Sequence, residues 1–433
     1  MGYVVADVDR AKAVQQPEWE NPSQVGQVRA LLASCAPLVN VADVDALRSH
    51  LARVATSAAH VLQAGDCAED PIECSAKHVQ GKIVLLDLLA AGLHSYTGRP
   101  VLRVGRIAGQ FAKPRSTPVE RVGDVELPVY RGHMVNSPEP EAVSRRPDPL
   151  RLLTGYMAAN EIMQRLGWHG LTARPSARLD DPVVWTSHEA LLLDYELPMI
   201  RELEDGRRLL SSTHWPWIGE RSRQPDGPHV AMLAGVVNPV SCKVGPTMGT
   251  GEILELCARL DPRQEPGRLT FIVRMGADVV AVRLPPLVEA VRSAGYPVIW
   301  LCDPMHGNTI TTPDGTKTRA VETIVREVRG FRRAMALADG EGKILFPGYP
   351  EGFYRNRFLH SFRFDGGRIK DGGHTVYRTV PAAGWEHPAR QRRPVDRGSG
   401  ARGASRPRHA ELLPATVPGP PARRPGAPLR SAP

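Results

Sequence analysis

An α/β fold of parallel strands joined by helical crossovers is what this 433-residue sequence predicts. Three observations carry it. Between residues 240 and 337, short apolar runs alternate with helical stretches at the spacing of β/α units, which implies parallel strands and right-handed connections. Two apolar runs, 60–64 and, within that stretch, 297–301, are each followed by a soft metal ligand near a carboxylate, in Gly65-Asp66-Cys67-Ala68-Glu69 and Cys302-Asp303-Pro304-Met305-His306. Finally, Cys67, Arg106, Lys243, Arg274 and His306 all fall where strands end, and the carboxyl ends of parallel strands are where such folds gather their chemistry.

Taken in order, residues 21–61 repeat Leu31, Leu32, Leu47, Leu51 and Val54 at helical intervals, so residues 1–58 are expected to form a helical N-terminal extension. The α/β body spans 59–338. Within it the patterning predicts strands at 60–64, 240–244, 269–274 and 297–301, and helices at 252–260, 278–293 and 320–337. From 342 to 376 the character changes to aromatic, β-prone runs with turn signals at Pro347-Gly348 and Asp365-Gly366-Gly367, which predicts an antiparallel hairpin. Residues 382–433 are Pro, Arg, Gly and Ala without periodicity and without lysine. Such a segment buries too little apolar surface to offset its ordering entropy, so a disordered tail is expected.

The formal charge of +9 is a property of that tail. From His387 onward ten arginines face two acids, so eight of the nine excess positive charges lie there and the body is nearly neutral. A nucleic-acid-binding body is therefore not expected. No apolar run approaches the roughly 20 residues of a membrane span. Six cysteines without a repeated spacing imply reduced thiols and a cytoplasmic setting.

Three segments carry candidate chemistry. Cys67 and His306 can be read as ligands of one divalent ion, or as a packed thiol and a hydrogen-bonded ring. The stretch 103–116 places Arg103, Arg106, Lys113, Arg115 and Ser116 in a Gly-punctuated loop suited to phosphate or carboxylate. Lys243 and Arg274 end buried strands, where a cation is costly unless an anion meets it; Lys317 and Arg319 follow the His306 turn. Glu69, Glu220 and Asp303 are the acids available for proton transfer or for orienting a ligand.

The strings 63–69, 103–116, 186–196, 217–248 and 302–309 resemble the class II (plant-type) 3-deoxy-D-arabino-heptulosonate-7-phosphate (DAHP) synthases, over residues 16–337. The resemblance implies a (β/α)8 TIM-type barrel and condensation of phosphoenolpyruvate with erythrose 4-phosphate, in an oligomer that uses Mn2+ or Co2+. It further implies Cys67 and His306 as metal ligands and Arg106, Lys243, Arg274 and Glu220 as the phosphoenolpyruvate site, with Lys243 and Glu220 catalytic. Ser116, Arg221 and Lys317 would face erythrose 4-phosphate. Two departures stand out. His133-Met134 replaces a usual Asp-Asn pair, and the last two β/α units, with the Glu and Asp that complete the metal shell, have no counterpart; about six strands are expected. Instead, 342–370 resembles part of a phenazine-pathway isomerase-like protein, as a fused or frame-shifted gene would produce. A catalytically impaired pseudoenzyme or interaction subunit is the alternative expectation.

Overall fold

The structure, a computed structural model, describes residues 8–170, 181, 183–313, 317–338 and 342–344. Eight parallel strands form its main sheet: β1 (His60–Gly65), β2 (Val101–Arg106), β3 (Val184–Glu189), β4 (Trp215–Ile218), β5 (Val240–Val244), β6 (Leu269–Val273), β7 (Ile299–Cys302) and β8 (Gly342–Ile344). Each pairs with the next in sequence, the order of a chain wound in one direction, and β8 returns alongside β1 so that the sheet curls on itself. The helices are α1 (Pro22–Ser34), α2 (Val41–Ala55), α3 (Ala76–Thr97), α4 (Leu150–Arg165), α5 (Leu193–Glu196), α6 (Pro228–Ala234), α7 (Thr250–Leu260), α8 (Val280–Ser293) and α9 (Val321–Leu337).

Local chemistry explains the elements. Asn21 caps α1 by accepting from Gln24 N at 3.1 Å, with Pro22 in the first turn, and Asn40 caps α2 by accepting from Asp43 N at 3.0 Å. Strands β5 and β6 are buried at every position, as parallel strands covered on both faces must be. Helix α7 buries Ile253, Leu256, Cys257 and Leu260, one helical stripe facing the sheet. These faces merge into one hydrophobic core shared by sheet, helices and N-terminal extension.

The strand count corrects the expectation of about six: seven strands precede α9. The two unread strands have only short or interrupted apolar runs. β3 buries Thr186, Ser187 and His188, and β4 is four residues with Pro216 inside it. Of the segment 342–376, where a hairpin is expected, the described residues are 342–344. Residues 342–344 pair in parallel with β7, Trp300 opposite Gly342, because the β7 edge offers a ladder to the first extended run that follows α9. The remainder of 342–376 and the tail 382–433 lie outside the described residues.

The winding brings every strand's carboxyl end to one rim. Gly65 ends β1 opposite Arg106, at φ +148°, where an added Cβ would stand 2.5 Å from the Arg106 carbonyl oxygen. Only glycine lets β1 turn toward Cys67 this close to Arg106.

Candidate active site

A cavity of about 750 Å3 opens at this rim, and its floor is made by strand ends. Arg106, at the end of β2, is only 4% exposed, and its guanidinium lies 4.8 Å from the Trp217 ring centre. Its Nε has no hydrogen-bond partner among the described residues. A buried guanidinium with an unspent donor is a preformed anion contact. Lys243, from β5, donates to Asp303 Oδ2 at 2.6 Å and sits 5.9 Å from the same indole. Arg274, just past β6, donates to the His306 carbonyl at 2.6 Å and lines the cavity.

Cys67 and His306 meet across the cavity, with Sγ 3.6 Å from Nε2. The other imidazole nitrogen, Nδ1, lies 2.8 Å from Asp303 Oδ2. A continuous chain Cys67–His306–Asp303–Lys243 results. Burial pushes the Cys67 thiol up, but His306, Arg106 and Arg319 outweigh it and leave the thiol lowered to about 7. Burial disfavours the His306 cation, yet Asp303 raises it above the ordinary histidine value. Asp303, though buried, is held well below the carboxylate range by His306 and Lys243. Burial, reinforced by Arg106, lowers Lys243.

The outer wall is equally cationic. Arg221 Nη2 donates to Ser116 Oγ at 2.7 Å, Lys113 lies 5.1 Å from the Tyr130 ring, and Arg115 and Arg145 both pair with Glu120. Arg319 donates to the Met305 carbonyl and reaches the cavity. Lys317 lies in a two-residue strand, Lys317–Thr318, but its side chain is outside the described residues.

The structure therefore gathers Cys67, Arg106, Glu220, Arg221, Lys243, Arg274 and His306 around one cavity, with Ser116 at its edge through Arg221. It reassigns others. Arg103 points away, pairing with Asp87 at 2.7 Å, because it faces the helices and not the strand's inner side. The anion that meets Lys243 is the protein's own Asp303, so that carboxylate is tied to two cationic partners and is not poised for proton transfer. Glu69 does not line the cavity. It accepts from the backbone N–H groups of Ala108, Gly109 and Gln110 at 3.1, 2.9 and 2.8 Å, and so braces the turn after Arg106. His133 packs edge-on against Tyr130, 3.8 Å from Asp70. Sequence reasoning missed Glu189, at the end of β3 on the cavity wall. Its Oε1 is buried without a partner, and burial raises its carboxyl despite Lys243 and Arg106. Its position after a strand is a usable signal only once Val184–Glu189 is read as one.

Fold and site together define a parallel α/β enzyme scaffold whose strand-end pocket is lined by cations beside a thiol–imidazole pair. Comparison with known proteins makes this particular. Residues 5–170 and 159–342 match the class-II DAHP synthetase family, and the chain belongs to that family. A probable phospho-2-dehydro-3-deoxyheptonate aldolase of Pseudomonas fluorescens is 56% identical over 333 residues, covering 76% of this chain and 82% of the relative. The phospho-2-dehydro-3-deoxyheptonate aldolases of Mycolicibacterium smegmatis and Streptomyces coelicolor are each 39% identical, over 74% of this chain and 78% and 80% of theirs. A solved aldolase of the same name from Francisella tularensis superposes with a TM-score of 0.44 at 12% identity, covering 74% of this chain and 83% of that one. Residues 326–380 match the phenazine biosynthesis protein A/B family, a wider span than the 342–370 seen in the sequence.

Proposed function

We propose that this chain condenses phosphoenolpyruvate with erythrose 4-phosphate to give DAHP and inorganic phosphate. The observation that carries this reading is the trio Arg106, Lys243 and Arg274, delivered by three strand ends to one cavity beside Cys67 and His306. In the reaction the enol carbon C3 forms a bond to the aldehyde carbon, water adds at C2, and the C2–O bond breaks to release phosphate. Arg106 binds the phosphate or carboxylate in line with Trp217, and Arg274 and Lys243 neutralise what remains. Arg221 and Ser116, with Lys317 nearby, serve the second phosphate at the outer wall. Glu189, with a buried free oxygen, takes the proton from the adding water; Glu220, whose Oε1 is bound to Arg223 at 3.1 Å, orients that neighbourhood.

A divalent ion, Mn2+ or Co2+, fits the thiolate–imidazole pair. Cys67 Sγ and His306 Nε2, 3.6 Å apart at the cavity, are the soft donors that would hold it. Asp303 on Nδ1 fixes the ring as an orienting carboxylate does. When bound, the ion supplies Lewis-acid polarisation of the aldehyde oxygen. No group of three His, Cys, Asp or Glu donors forms there among the described residues. The second reading is a substrate-binding chain with impaired turnover. Either reading is compatible with an N-terminal extension at 1–58, a body at 59–338, and self-association through exposed apolar side chains of α3 such as Leu88 and Tyr96.

Purified full-length chain, supplied with both substrates and Mn2+ or Co2+, is expected to release phosphate and form DAHP stoichiometrically. Phosphoenolpyruvate binding without either product would establish the second reading, and no binding would defeat both.

A further inference from the structure

We propose that Glu327 is a positioning residue, a strut from α9 that holds the Arg274 turn and the His306 loop in one arrangement. The inference rests on the reading just given for Arg274 and His306. Glu327 is fully buried on the inner face of α9. One carboxylate oxygen accepts from Gly276 N at 2.8 Å, two residues past Arg274, and the other accepts from Asn308 Nδ2, two residues past His306. Asn308 completes the tie: its Oδ1 accepts from Ala277 N at 3.0 Å and its Nδ2 donates to the Pro304 carbonyl at 2.7 Å. A single side chain thus anchors both loops, and the loops lock to each other through Arg274 and the His306 carbonyl, 2.6 Å apart.

The chemistry of the partners argues for placement over bulk stability. Among the described residues they are amides and not cations, while the ionisable groups facing the carboxyl are Asp303 and Cys302. Burial, with Asp303 adding to it and the two amides opposing it, raises Glu327 to about 7. A buried carboxyl without a counter-cation costs free energy that an apolar side chain at this position would not. What it supplies is two directed acceptors aimed at two site loops. The strut also lies in 326–342, where the two family matches overlap, so the segment leading into the appended sequence is mechanically joined to the site.

The test compares wild type, Glu327→Gln and Asn308→Ala in the full chain. At pH 8, where the Glu327 carboxyl is ionised, glutamine keeps the volume but only one of the two acceptors, so the tie either to Gly276 N or to the Asn308 amide is lost. Equilibrium phosphoenolpyruvate binding, followed by tryptophan fluorescence, is expected to weaken about tenfold or more in both variants, as for other groups that orient ligands. The Co2+ affinity, read from the cobalt–thiolate absorption, is expected to fall similarly. Hydrogen exchange should accelerate over 274–277 and 303–308 but not over β5. Unchanged exchange at those loops overturns the strut whatever the activity. Faster exchange with unaltered phosphoenolpyruvate and Co2+ affinity reduces Glu327 to a structural residue and overturns the positioning role. Failure of the wild type itself to bind phosphoenolpyruvate would count against the proposed function, while exchange and Co2+ affinity would still decide the strut.

Discussion

At the residue scale the site is organised by one carboxylate. Asp303 holds Lys243 at 2.6 Å and orients His306 at 2.8 Å, so it fixes both a substrate cation and the imidazole of the thiolate pair. Asp303→Asn keeps the shape and removes the charge. Lys243 would then be a buried ammonium beside Arg106 without its bonded counter-charge, and its proton would be shed more readily. Folding stability is expected to fall by about 3–5 kcal/mol, measured by denaturant unfolding, and phosphoenolpyruvate affinity should drop together with it. Retained stability and affinity would show that Lys243 finds its counter-charge elsewhere. Glu189 is the opposite case, a carboxyl without a bonded partner at Oε1, and it matters because it faces the cavity and not the fold.

At the scale of elements, loops after neighbouring strands are packed backbone to backbone. Gly276, at φ +89°, follows β6, and Gly307 follows β7; a Cβ on Gly307 would stand 2.4 Å from Gly276 N. Gly307→Ala must therefore push the His306 loop off the Arg274 turn and strain the Glu327 contact to Gly276. Loss of the Co2+–thiolate band and weaker phosphoenolpyruvate binding are expected, with little change in far-UV circular dichroism; unaltered binding would show that the loop has room to give. Much of this architecture was legible in the sequence. β5, β6 and β7 were visible as apolar runs, and the cations that follow them were visible because a charge after such a run must meet an anion. What escaped was of two kinds. β3 and β4 hide because β3 turns polar after Val184-Trp185 and β4 is a four-residue run interrupted by Pro216, although Val184, Trp185, Trp215, Trp217 and Ile218 all join the core. Roles such as those of Glu69, Arg103 and Glu327 escaped because direction decides them: the side chain's face of the strand or helix, not its residue type, determines whether it meets substrate, backbone or helix.

At the scale of the molecule, the +9 charge belongs largely to the arginine-rich C-terminal stretch, while in the described body a subset of cations, Arg106, Lys243 and Arg274 among them, lines one cavity. No helix of the described residues is long and apolar enough to cross a membrane. Buried charge should show in the pH dependence of stability, with three signs to separate. Asp303, depressed in the folded state, stabilises above the unfolded value near 3.8 and loses that contribution as pH falls below it. His306, raised above its ordinary 6.5, stabilises fully below 6.5 and loses its contribution as pH rises through the folded value. Glu327 works in the window between. From 4.5, where the unfolded carboxyl ionises, up to about 7, where the folded one does, the folded state alone keeps the proton and stability falls with rising pH. The loss across that window is about 3 kcal/mol, at 1.36 kcal/mol per pH unit. Glu327→Gln carries no ionisable group there, so its stability curve should lack this descent while keeping the other two. At pH 5 the protonated acid and the amide are near-isosteric, and the two proteins should unfold at similar denaturant concentrations. By pH 8 their difference should have shifted by about 3 kcal/mol in favour of the glutamine variant. Parallel curves from pH 5 to pH 8 would mean that Glu327 ionises in the folded protein as it does in the unfolded chain, and that water or a cation reaches the strut.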